Sequence, residues 1–515
     1  MHPGVVGRKR RPQAQKQAAF SQGSVMSFIA RHGLYTESQQ RAAEALDVLL
    51  KGQEFIALRL SFPDLHGILR GKEVSLALAR DALEHGIPMV GTLLLKDTAH
   101  RTAWPVFSPR EAESAGLDPD FWGAGDVVMV PLPETFCRLP WAPHLGWMQC
   151  QAFHHDGRAV VFDPRTHLCQ ALQSLDDRGL ALKTGLEIEF YVYQLKEEES
   201  DPATAQWPAH PPKVSMVHPG YNLLTEQWLD RSEPVLSVIR RTCAALDLPL
   251  QSLEIELGPS QFEAVFEPGF GIVNADRMVL FRSAMKQALY RAGFHASFVC
   301  RPPFENVMSS GWHLHQSLVS VSEGISIFAP CEENEVLSKQ GKQYLAGLLE
   351  HAAAYAAFAV PSINGYARYQ PNALAPVGID WGIDNRGALC RVVNRGLLDP
   401  QTRIENRIGE PMANPYLLMA SQVFAGIQAI QAASPLAGPV SDPYAATDRS
   451  QSLPSSLGQA LEYLEASRAM RSWFGDSFVN HFIRIKRHEI TRFHQALAKG
   501  ASQKDWEAHE YFGLF

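Results

Sequence analysis

The chain has 515 residues, 46% of them apolar and 20% charged, with a formal net charge of −7. That is the composition of a folded enzyme with a large core and room for two or more domains, and its scattered basic residues lack the stripe that grips nucleic acid. No run reaches the roughly 18 consecutive apolar residues of a membrane span, and seven cysteines without a CxxC pair fit a reduced cytoplasm better than a disulfide framework.

The first acidic residue is Glu37, and Arg8, Lys9, Arg10, Arg11, Lys16 and Arg31 stand before it. Residues 1–48 are therefore predicted to be a disordered basic leader outside the fold, with an organelle transit peptide as the other reading. Residues 49–144 read as a small α/β domain: an apolar run FIALRLSF, a turn at Pro63-Asp64, a helix over about 73–85 and a strand GDVVMVPL. Residues 145–515 read as the larger body. Strands MQCQAF, LEIEFYVY, FHASFVC and HLHQSLV alternate there with helices near 163–179, 231–247, 271–292 and 335–358. Segments 197–213 and 435–455 are polar and proline-rich, as surface loops are, and three helices are expected between Leu457 and Phe512.

Three segments of the body carry ligand-type side chains. In LEIEFYVY, Glu187 and Glu189 lie two apart and leave the same face of a strand, flanked by apolar residues that make the segment mostly buried. Buried carboxylates need a cation, either a metal ion or a basic side chain, and no lysine or arginine lies close by in sequence. EIELGPSQFE holds Glu254, Glu256 and Glu263 around a Gly258-Pro259 turn that can fold Glu256 and Glu263 towards one point. SGWHLHQSL places His313, His315 and Ser317 on one strand face. Any one of these histidines alone would serve as a hydrogen-bonded core residue. Together with so many carboxylates and no cysteine, they suit Mg²⁺ or Mn²⁺ better than zinc. Arg368, Arg386, Arg391, Arg403 and Arg407 then gather around Glu405 in sequence. Each could be an ordinary ion-pair partner, but a set of guanidinium forks suits phosphate and carboxylate groups.

In this order, the segments resemble the glutamine synthetase family, type I-like, from about residue 53 to 510. DLHGILRGK at 64–72, FDPRTHL at 162–168, NPYLLMA at 414–420, LPSSLGQAL and FIRIKRHEITRF add to the resemblance. No G-x-x-x-x-G-K-[ST] phosphate loop is present, and the family uses none. The resemblance implies an α+β fold, with a small N-terminal β-grasp-like domain followed by a large catalytic domain built on an antiparallel sheet and helices. It implies a homo-oligomeric ring, a dodecamer, in which the small domain completes the neighbouring subunit's site.

By the same resemblance, Glu189, Glu256 and Glu263 would hold one metal ion, and Glu187, His313 and Glu405 the second. His315, Ser317, Arg386 and Arg403 would bind ATP, with Arg386 and Arg391 steadying the phosphoryl group in transfer. Arg368 and Arg407 would clasp the acid, and Asp97 in LLLKDTAH would take the nucleophile's proton. The implied reaction activates the γ-carboxylate of glutamate as an acyl phosphate, which an amine then displaces. The sequence departs from the ammonia-using members six residues after Arg368. Leu374 stands there in place of their flap glutamate, which resembles the branch that makes γ-glutamyl amides of larger amines or polyamines. Met308-Ser309 and Trp312 also depart from the usual substrate loop. A glutamine synthetase using ammonia and a catalytically silent scaffold are the alternatives. The complete set of six ligand-type side chains speaks against the scaffold.

Overall fold

The computed structural model describes residues 26–52, 54–196, 205–371, 374–445 and 452–515. The first sheet comprises β1 (Ala57–Pro63), β2 (Leu69–Ser75), β3 (Ile87–Val90), β4 (Asp126–Pro131), β5 (Cys137–Arg138) and β6 (Leu145–Phe153). Its order is β2-β1-β6-β4-β3, with β5 also paired to β6. β1 and β2 form an antiparallel hairpin, helix 76–85 follows, and β6 returns parallel to β1. The strand read as MQCQAF is thus β6, in the middle of this first sheet, and the expected boundary at 144/145 falls at its edge. An apolar strand looks the same in sequence whichever sheet it joins, so only pairing could place it.

The leader expected over 1–48 is also corrected. Residues 1–25, with the basic residues from Arg8 to Lys16, lie outside the described residues. Residues 28–32 and 37–50 are helical. Thr36 and Gln39 form a reciprocal capping box at the start of the longer helix, and Ala43, Leu46 and Leu50 are buried. A stripe spaced three and four residues apart packs this helix against the 133–135 turn and helix 76–85 of the small domain.

The second sheet contains β7 (Leu180–Leu195), β8 (Val214–Met216), β9 (Leu250–Ile255), β10 (Gln261–Phe270), β11 (Phe294–Ser297), β12 (Trp312–Ser320), β13 (Trp381–Ile383), β14 (Cys390–Val393) and β15 (Arg403–Gly409). Its order is β13-β14-β15-β12-β7-β10-β9, antiparallel except for the β13–β14 pair. Along β7, Leu186, Ile188 and Phe190 are buried on the face covered by helices 164–176 and 273–291. The alternate residues Glu187 and Glu189 therefore leave from the opposite face. The expected helix over 335–358 is two helices, 339–350 and 352–359, parted at His351. The chain closes with four helices from 457 to 507 and a π turn, where three helices were expected.

The DLHG turn between β1 and β2 is locked into the larger body. Buried Arg282 donates to the carbonyls of Gly67, Pro411 and Ala413, while Asn414 Nδ2 donates to those of Asp64 and Leu65. Gly67 has φ +70°, and a Cβ there would lie 2.2 Å from the Arg282 guanidinium, so only glycine fits.

Candidate active site

Cross-strand register lines up the ligand-type side chains. Glu263 of β10 pairs with Glu189 of β7 on one side and Glu254 of β9 on the other, so three carboxylates share one row. His313 of β12 faces Glu187, and in the next row His315 faces Glu405 of β15, which faces Arg391 of β14. Two clusters result. Glu187, His313 and Glu405 each offer a ligand atom within 4.8 Å of the others, and so do Glu254, Glu256 and Glu263. Glu254, which the sequence reading left out of the ligand set, joins the second cluster. Glu189 lies beside it, with Oε2 accepting from Gly311 N at 2.9 Å and Gln261 Nε2 at 3.0 Å.

The electrostatics of the two clusters differ. Burial, followed by the charges of neighbouring glutamates, raises the carboxyls of Glu189, Glu256 and Glu263 above the usual range. Burial would raise Glu405 as well, but Arg407, then His315 and His313, outweigh it and hold Glu405 at about 2. Glu187 is likewise held low against burial by hydrogen bonds from His313 and His315. Burial, then the charge of Arg407, brings His313 down to about 4, so its imidazole is neutral near pH 7 and free to ligate. An all-oxygen cluster and a mixed oxygen–imidazole cluster, each buried or half-buried, have the donor chemistry of divalent cation sites. The residues present fit such ions, and a cation would relieve the repulsion within the carboxylate row.

Around these clusters the arginines take distinct places. Arg391 reaches Glu405 at 2.9 Å and also binds Asp384, while Arg407 pairs with Glu405 and donates to the Leu374 carbonyl. Arg403 Nε donates to His315 Nδ1 at 3.1 Å, and His315 Nε2 lies 2.9 Å from Glu187. Ser317 follows on the same strand face. Arg368 donates to the Arg407 carbonyl at 2.8 Å and lies 3.5 Å from His313. Its guanidinium passes over Gly311, where a Cβ would come within 2.6 Å of it. Arg386 is exposed on the turn between β13 and β14, with no ion pair within 4 Å among the described residues.

Two expectations change. Leu374 meets the centre through its backbone carbonyl, which accepts from Arg407, while its side chain is 59% exposed. Within the single chain Asp97 does not lie beside the clusters. Its carboxylate is buried, 2.7 Å from His488 Nδ1 and 2.8 Å from Arg492 Nε, and Arg492 also grips Glu510. Burial would raise Asp97, but His488 and Arg492 hold it down at about 2, which makes it a poor proton acceptor and a firm tie between the small domain and the closing helices. Sequence reasoning also missed an apolar rim of Tyr221, Leu223 and Leu224, all exposed. Tyr221 N donates to the Leu257 carbonyl and Leu224 N to that of Ile255, on either side of Glu256.

Comparison with known proteins agrees with this geometry. The glutamine synthetase catalytic domain matches residues 161–511, and the chain belongs to the glutamine synthetase family. It is 37% identical to gamma-glutamylanilide synthase of an Acinetobacter species, over 95% of this chain and 99% of that one. It is 29% identical to gamma-glutamylethanolamide synthetase of Streptomyces coelicolor, over 91% and 95%. Among solved structures, the ADP complex of GmaS superposes with a TM-score of 0.72 at 25% identity, covering 90% of this chain and 98% of that one.

Asp97 offers a direct check of its structural role. A folded value of about 2 against 3.8 in the unfolded chain is worth about 2 kcal/mol, present above about pH 4 and lost as pH falls towards 2. Asp97→Asn should lower the denaturation midpoint at pH 7, and its difference from the wild type should shrink by pH 3. An unchanged midpoint at pH 7 together with lost turnover would return Asp97 to the chemistry.

Proposed function

We propose that the chain is an ATP-dependent ligase that activates the γ-carboxylate of glutamate as an acyl phosphate and joins it to an amine bearing a hydrocarbon group. The observation that carries this reading is the sharing of one sheet face by two cation-type clusters and Arg391, Arg403 and Arg407. Transfer of a phosphoryl group needs just such fixed positive charge around a negatively charged transition state. Glu254, Glu256 and Glu263, with Glu189 beside them, would hold one divalent ion, and Glu187, His313 and Glu405 the other. Mg²⁺ or Mn²⁺ there would supply charge neutralisation to the phosphates and the carboxylate. Arg391, anchored between Glu405 and Asp384, is placed to meet the transferring group, with Arg386 free to close on it. His315 and Arg403 brace each other on the nucleotide side. Arg368 and Arg407 bound the acid side.

The choice of amine rests on the rim. Leu374, Tyr221, Leu223 and Leu224 offer exposed apolar surface where an ammonium ion would want charge, and the two relatives named above are synthetases of an anilide and an ethanolamide. Seven free cysteines suit a cytoplasmic setting, and among the described residues no helix is long and apolar enough to cross a membrane. The resemblance to glutamine synthetases also supports a ring of identical subunits, a dodecamer.

Two measurements test this reading. An aryl or alkyl amine should exceed ammonium in kcat/KM by about ten- to a hundredfold, since covering such a group is worth about one to three kcal/mol. Leu374→Glu should shift preference towards ammonium, and a wild type that uses ammonium best would make the chain a glutamine synthetase instead. Sedimentation should find activity confined to a large assembly and lost on dilution to subunits; an active monomer contradicts the ring.

A further inference from the structure

Glu189 stands between the two clusters. It pairs with Glu263 across β10, and its Oε1 lies 3.8 Å from His313 Nε2. A glutamate side chain rotates about several bonds, so a carboxylate among like charges needs something that fixes the direction in which it offers an oxygen. Oε2 is held from two sides, by Gln261 Nε2 at 3.0 Å and by Gly311 N at 2.9 Å. Oε1 accepts no hydrogen bond among the described residues and is the oxygen left to meet a cation.

Gln261 is fixed just as firmly. It is buried at the first position of β10, and its Oε1 accepts from Gly258 N at 2.9 Å. A backbone N–H can only donate, so this contact sets the oxygen of the amide and turns Nε2 towards Glu189 and towards Ser310 Oγ, 3.0 Å away. The Gln261 carbonyl accepts from Glu256 N at 3.0 Å, and Glu263 leaves the same face of the strand two residues on. A Cβ at Gly258 would fall 2.4 Å from Gln261 Oε1 and 2.9 Å from the Tyr191 hydroxyl, so the amide closes on this turn only where no side chain stands. One residue thus joins β7, the turn behind Glu256 and the 309–311 loop.

We propose that Gln261 is a positioning residue for the ion of the carboxylate row: without ligating the ion, it holds Glu189 Oε2 so that Oε1 is presented to it. This rests on the reading of that row as a divalent cation site. A neutral donor is what the place calls for. A lysine or arginine would pair with Glu189 and compete with the ion, whereas an amide N–H orients the carboxylate and leaves its charge available.

Titration of the full chain with Mn²⁺, read by electron paramagnetic resonance of the free ion, tests the assignment. Gln261→Leu keeps the size of the side chain and removes the donor. It should weaken the ion that Glu263→Gln removes by about tenfold to a hundredfold, and leave the ion of Glu187, His313 and Glu405 unchanged as the sign of an intact fold. Because Gln261 acts through Glu189, adding Gln261→Leu to Glu189→Gln should cost no more than Glu189→Gln alone. Wild-type affinity at both sites in Gln261→Leu overturns the assignment, and so do parallel losses at the two sites or losses that add in the double variant. A wild type that binds no Mn²⁺ removes the cation reading itself and this assignment with it.

Discussion

The centre depends on a row of like charges that the sheet forces together. Glu254, Glu263 and Glu189 stand opposite one another on three adjacent strands, with Glu256 folded back onto them. Hydrogen bonding of the backbone fixes their spacing, so the side chains cannot part to relieve repulsion. Such an arrangement is costly unless a cation or a proton sits within it. The neighbouring row is built the other way, with Glu187 and Glu405 already compensated by His313, His315, Arg391 and Arg407. Two environments on one face thus hold one cluster poised for a cation through repulsion and the other through a neutral imidazole between anchored carboxylates.

Much of this was legible from the sequence because strands repeat every two residues. Glu187 with Glu189, and His313 with His315, had to share faces once their segments were strands, and the apolar residues between them had to face the helices. Glu254 was harder to assign, since its place depends on the register of β9 against β10, which the Gly258-Pro259 turn sets only in three dimensions. β6 was placed in the wrong sheet for the same reason.

Asp97 shows what local reading leaves out. Its motif suggests chemistry, yet its partners His488 and Arg492 lie 391 and 395 residues further along the chain. Nothing in the local sequence could show that its charge is already taken. The helix over 37–50 is the opposite case: its capping box and apolar stripe are local signals, and they follow directly on a basic stretch whose charge says nothing about them. Leu374 donates nothing through its exposed side chain to the clusters; its backbone carbonyl, which accepts from Arg407, is what ties it to them, and no sequence pattern carries that contact.

The most direct measurement is titration of the purified chain with Mn²⁺, following the free ion by electron paramagnetic resonance. Two clusters should bind two ions per chain, and Glu263→Gln should abolish one site while sparing the ion held by Glu187, His313 and Glu405. A wild type that binds no Mn²⁺, or a Glu263→Gln variant with unchanged stoichiometry and affinity, would contradict the account.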